Sequence, residues 1–112
     1  MSWKVTVRHG PEVDREQFET VDEALDDARS RVDAIRREGR LGKAEGFRTY
    51  GPQELVHARI EVSGPGLLRG PEAGIDVMGD GTLVPYRGAI RKQRLDADSL
   101  DGALERLREA LA

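Results

Sequence analysis

The chain contains no cysteine, which excludes disulfides, thiolate metal sites and a cysteine nucleophile. Aromatic residues are scarce, and Trp3, Phe18, Phe47, Tyr50 and Tyr86 are the whole set. A core must therefore be built mainly from Val, Leu, Ile and Ala. Lysine is rare as well, with Lys4, Lys43 and Lys92 against a large excess of arginine, a bias that a GC-rich genome produces without functional cause. No run approaches the roughly 20 apolar residues that a bilayer-spanning helix requires. The N-terminal Met1-Ser2-Trp3-Lys4-Val5 enters strand-like alternation at once, with no apolar signal run. The expectation is a cytoplasmic protein with no membrane partner.

What is present is one domain's length of chain, residues 1–112, read as a single α+β domain. Its 38% apolar content is too high for a disordered polymer of this charge density. The net charge of −3 gives no general pull toward nucleic acid. Its distribution is uneven. Glu12, Asp14, Glu16, Glu19, Asp22, Glu23, Asp26 and Asp27 make the first third acidic, whereas residues 84–95 carry Arg87, Arg91, Lys92 and Arg94 without an acid.

Trp3, Val5 and Val7 alternate with Lys4, Thr6 and Arg8, the period of a half-buried strand that ends at His9-Gly10-Pro11. Residues 15–19 are expected to pair back, with Phe18 inward. Thr20 followed by Glu23 is a capping-box spacing. Val21, Leu25, Ala28, Val32 and Ile35 then form one apolar helical stripe, with Gly39 as its natural terminator. Residues 39–53 read as a long glycine-containing loop, and residues 64–74 as an irregular connection. Between them Val56, Ala58, Ile60 and Val62 alternate with His57, Arg59, Glu61 and Ser63, again a strand. Asp80-Gly81 is expected to make a two-residue type I′ hairpin, facing Val77 to Val84 and Ile75 to Tyr86. Pro85 points to an edge or bulge, and the chain is expected to continue extended through 89–95 after a kink at Gly88. Leu100, Ala103, Leu104, Leu107 and Leu111 mark a C-terminal helix capped by Asp98 or Ser99.

The order β(β)αβββα carries two single-striped helices, and each needs one apolar surface. The expected fold is a two-layer α+β sandwich. Its sheet is mostly antiparallel and four- to five-stranded, with both helices packed on one face.

The pattern Phe18-x-Thr20-x-x-Glu23-Ala24 resembles the strand-to-helix step of several small bacterial domains. Helix-capping chemistry alone produces it, so it implies no function.

Catalytic constellations are not evident. His57 and Glu61 lie about 13 Å apart along an extended strand and cannot form a dyad, and neither His9 nor His57 is assigned a catalytic or metal role. Asp22 and Asp26 share a helix face whose simplest reading is solvated. Asp76, Asp80 and Thr82 lack the oxygen run and closing Glu of a calcium loop. Gly39-Arg-Leu-Gly-Lys43 follows a helix, whereas a P-loop precedes one. Gly64-Pro-Gly66 opens no helix and is no dinucleotide fingerprint. Ser30, Ser63 and Ser99 sit in no nucleophile elbow. No catalytic residue, cofactor or metal is assigned.

Two binding readings remain. Trp3, Leu67 and Leu68, with open sheet edges, suit a non-enzymatic protein-interaction or assembly module whose first partner is a second copy, as in a homodimer. Alternatively, Tyr86, Arg87, Arg91, Lys92 and Arg94 on one extended segment would track a phosphate backbone and stack a base, with Arg36, Arg37, Arg40 and Lys43 as a second patch. The first is preferred, because the net charge is negative and no nucleic-acid-binding motif is present.

Overall fold

A computed structural model describes residues 2–38, 56–65, 72–88 and 93–112. Eight elements follow one another: β1 (Trp3–His9), β2 (Glu12–Phe18), α1 (Val21–Arg37), β3 (Val56–Ser63), β4 (Glu72–Met78), β5 (Leu83–Arg87), β6 (Gln93–Arg94) and α2 (Leu100–Leu111). The strands form one antiparallel sheet in the order β2-β1-β3-β4-β5-β6. The expected two-layer α+β architecture is present, with a sixth strand added.

Gly10 has φ 61°, the sign that the first central residue of a type II′ turn needs. With Pro11 after it, the chain reverses in two residues and β2 returns along β1 in unbroken register, Trp3 opposite Phe18 and His9 opposite Glu12. At the head of α1, Thr20 Oγ1 accepts from the Glu23 backbone N–H at 3.2 Å and donates to the Glu23 carboxylate at 3.1 Å. The capping box is therefore closed through the hydroxyl. Helix α1 stops at Arg37 with Glu38 as its C-cap, and the proposed terminator Gly39 lies outside the described residues.

Both helices lie on the same face. α1 packs on β1, β2 and β3, α2 packs on β4 and β5, and the helices touch each other. They run antiparallel, since Asp22 at the start of α1 pairs with Arg108 in the last turn of α2, and Arg29 pairs with Asp101 at the start of α2. Ser99 caps α2, its hydroxyl accepting from the Gly102 N–H at 3.0 Å. The core between the layers joins Val5, Val7, Ile60, Val62, Ile75 and Val77 of the sheet to Leu25, Ala28, Val32, Leu104 and Leu107 of the helices. It is aliphatic, as the scarcity of aromatics requires.

Two expectations about the hairpins are corrected. The β4–β5 connection is a three-residue loop rather than a type I′ pair. The Gly81 N–H donates to Met78 O, the Met78 N–H donates to Thr82 O, and Gly81 alone takes positive φ, 88°. The Asp80 carboxylate accepts from the Thr82 N–H at 2.9 Å, an Asx-turn bond, and Asp80 does not take the positive φ that a type I′ turn would require of it. The extra loop residue moves the register by one, so Val77 faces Leu83, Ile75 faces Pro85, and Gly74 faces Tyr86.

Secondly, the kink expected at Gly88, whose φ is 95°, is part of a reversal: Gln93–Arg94 form β6, which pairs antiparallel with β5, while residues 89–92 lie outside the described residues. Pro85 sits well in this arrangement. Its carbonyl accepts from the Leu95 N–H at 2.8 Å, so its missing donor falls on the same side, toward two-residue β6, and the β4 ladder loses nothing.

Candidate functional site

With both helices on one face, the other sheet face carries no helix among the described residues. Its side chains follow from the registers as cross-strand rows. One row is Arg15, Thr6, Glu61, Gly74, Tyr86 and Arg94 from β2 to β6. A second is Val13, Arg8, Arg59, Asp76 and Val84, and a third is Gln17, Lys4, Ser63 and Glu72. Five basic side chains (Lys4, Arg8, Arg15, Arg59, Arg94) stand against three acids (Glu61, Glu72, Asp76). Among the described residues this face is net positive, on a net negative chain.

At its centre, Arg59 grips Asp76 with two bonds, Nε to Oδ1 at 2.6 Å and Nη2 to Oδ2 at 3.1 Å. Its guanidinium carbon lies 5.4 Å from the centre of the Tyr86 ring, a cation–π placement. The Asp76 bond, opposed by partial burial, raises the Arg59 pKa above its usual range. Tyr86 lies flat across β4 in the space left by Gly74. A Cβ there would stand 2.4 Å from Tyr86 Oη and 2.6 Å from Ile60 O. Burial, reinforced by the Glu61 charge and opposed by Arg59, holds the Tyr86 phenol well above its ordinary pKa. Arg8 would repel Arg59 directly opposite it, and instead leans to Glu61 at 3.4 Å. Among the described residues, the side chains of Lys4, Arg15 and Arg94 make no ion pair or hydrogen bond.

The basic segment expected over 86–94 is thus divided. Tyr86 is only 2% exposed, and with Gly74 beneath it and Arg59 over it the ring is not presented for base stacking. Arg94 shares its face, opposite it across β5 and β6. Arg87, exposed, is on the helix side of the sheet and donates to Gln93 Oε1 at 2.9 Å. Arg91 and Lys92 lie outside the described residues, as do Arg40, Lys43, Leu67 and Leu68. Arg36 and Arg37 are exposed in the last turn of α1. Trp3 is half-buried, opposite Phe18, and both pack against the core.

A second cluster joins residues that the sequence left apart. β3 is not regular: its pairing with β4 shifts between Val56 and Ala58. The bulge makes His57 the extra residue and takes it out of the alternation, away from the company of Arg59 and Glu61 expected for it. His57 Nε2 lies 3.1 Å from His9 Nε2, at the end of β1, with the rings edge to face. Glu38 Oε2, on the C-cap of α1, lies 3.6 Å from His9 Nε2. The three ligand-type atoms fall within 4.8 Å of one another. Desolvation, then the His9 charge, lowers the His57 pKa against the opposing pull of Glu38. Alternation alone could not reveal this group, because bulges carry no period.

Comparison with known proteins gives no family model, no curated protein and no solved structure that matches this chain.

Proposed function

We propose that this chain is a small non-enzymatic protein-binding module whose sheet face opposite α1 and α2 receives an acidic segment of a partner protein. The observation that carries the reading is the charge of that face: Lys4, Arg15 and Arg94 are uncommitted cations around the internally paired Arg59–Asp76 centre. The centre is already neutralised and holds the surface in shape, while the outer cations remain to meet carboxylates. A nucleic-acid partner fits less well. Single-strand platforms rely on exposed aromatic rings, and Tyr86 is buried.

Self-association is the other form of the same reading. Along the β2 edge, antiparallel pairing of two copies centred on Arg15 would set Asp14 of one against Glu16 of the other. Like charges directly opposite are unfavourable, so a second copy is expected to use another surface.

The test is an amide NMR titration of the full chain with an aspartate- and glutamate-rich peptide, then with a single-stranded oligonucleotide, at physiological salt. Shifts centred on Lys4, Arg8 and Arg15 with the peptide, lost in Lys4→Glu/Arg15→Glu, support the proposal. An equal or stronger response to the oligonucleotide transfers the face to nucleic acid. No response to either removes the proposal, and sedimentation of the same sample shows whether the chain binds itself.

A further inference from the structure

We infer that His9, His57 and Glu38 form a binding site for a divalent transition-metal ion, zinc(II) in the first instance. This goes beyond the docking face and does not depend on it.

The geometry is the primary warrant. Two nitrogens bound to one tetrahedral zinc at 2.0–2.1 Å stand roughly 3.3 Å apart. The two Nε2 atoms are 3.1 Å apart here, so one ion bridges them with little movement of either ring. Glu38 Oε2 at 3.6 Å from His9 Nε2 is close to the spacing of a third ligand. Its side chain is 42% exposed, which leaves the carboxylate free to swing toward His57, all three ligand atoms already lying within 4.8 Å of one another. Two imidazoles and a carboxylate are a ligand set that suits zinc and its neighbours rather than calcium or magnesium. Three protein ligands leave the fourth position to water.

The ligands are also held by ordered features of the backbone. His9 ends β1 immediately before the Gly10 turn, His57 is the bulge residue of β3, and Glu38 caps α1. A regular β3 would have kept His57 beside Arg59 and Glu61. The bulge leaves one residue out of the ladder and re-aims a side chain, and the re-aimed side chain is His57, which meets His9. With no ion, the two nitrogens are held at hydrogen-bond distance, an arrangement that needs one bare nitrogen and one N–H. An ion takes the place of that shared hydrogen, with each ring carrying its proton on Nδ1.

The test titrates zinc(II) chloride into the full chain at neutral pH, by calorimetry and by NMR of the histidine ring nitrogens. The expected result is one ion per chain, with the Nε2 signals of His9 and His57 moving together. His9→Gln and His57→Gln should each weaken binding by more than about tenfold, and Glu38→Gln should weaken it by a smaller factor. Circular dichroism checks that each variant is folded, which is expected because none of the three residues belongs to the buried core. Should a variant fail to fold, the ring-nitrogen signals of the unaltered chain still decide the matter. Absence of heat and of ring-nitrogen shifts at millimolar zinc overturns the inference. Unchanged zinc binding in His9→Gln/His57→Gln overturns it equally, by placing the ion elsewhere.

Discussion

Gly74 and Tyr86 are opposite one another across β4 and β5, and each accounts for the other. The ring occupies the volume of the missing Cβ, so Gly74→Ala must displace the phenol or the strand. It is expected to lower stability by about 1–3 kcal/mol, the usual cost of overpacking, read from the urea unfolding midpoint. An unchanged midpoint would mean that the ring has room to lift. At Asp76, Arg59 makes a two-pronged bond that lysine cannot reproduce. Arg59→Lys is therefore expected to cost about 1 kcal/mol in the same assay. Asp80 gives the pH dependence of the turn. Its pKa is lowered by the Thr82 hydroxyl and backbone N–H, so the folded state binds a proton less readily than the unfolded state. The resulting stability is present above about pH 4 and is lost as pH falls through the folded pKa. Asp80→Asn should flatten that acid limb of the stability curve and leave the neutral region with a similar slope.

The helices are secured at two levels, by caps and by their buried stripes. Thr20 satisfies the Glu23 N–H at the head of α1, and Thr20→Ala is expected to cost about 1 kcal/mol. Leu107 of α2 is fully buried in the core, and Leu107→Ala is expected to cost roughly 2–5 kcal/mol because it leaves a cavity as well as losing burial. The ratio of the two effects, measured by denaturant unfolding, tests whether packing outweighs capping here. Among the described strands, β2 is the long edge. Its exposed alternation of Glu12, Asp14 and Glu16 with Val13, Arg15 and Gln17 carries charge on both faces, the device by which native edges resist pairing. Arg31 of α1 holds Asp14, with Glu16 and Asp27 nearby, and the Asp14 bond is the main cause of its raised pKa.

At the scale of the whole molecule, two-layer construction divides the surface into an acidic side and a net basic sheet face. The acidic side carries Asp22, Glu23 and Asp26 at the head of α1 beside the acids of β2. If the charges of β2 are what keep copies apart along that edge, Asp14→Thr/Glu16→Thr should raise the weight-average mass in sedimentation equilibrium at high protein concentration. A variant that stays at the mass of the unaltered chain would assign the protection to another feature of the edge.

Both helices, their stripes and the cap at Thr20 were legible in the sequence, as were the strands β1 and β3, because helical and strand periods are local and repeat over many residues. The two-layer arrangement followed from the same patterns, since two single-striped helices need one apolar surface. The turn after Met78 was legible only in part. Asp80-Gly81 marks a reversal, but loop length, and with it the register of β4 and β5, depended on where the Asp80 carboxylate and the Thr82 N–H met. Tyr86 looked like an exposed aromatic in a basic run. Its burial required Gly74 twelve residues earlier, and no local pattern connects the two. The same holds for His9, Glu38 and His57. Their residue types were visible, and their convergence was not, because it rests on a bulge and on the return of β3 beside β1. Periodicity determined which residues face the core. Only the tertiary structure decided which polar residues meet, because those meetings depend on register, and register is set by single residues in turns and bulges that have no period.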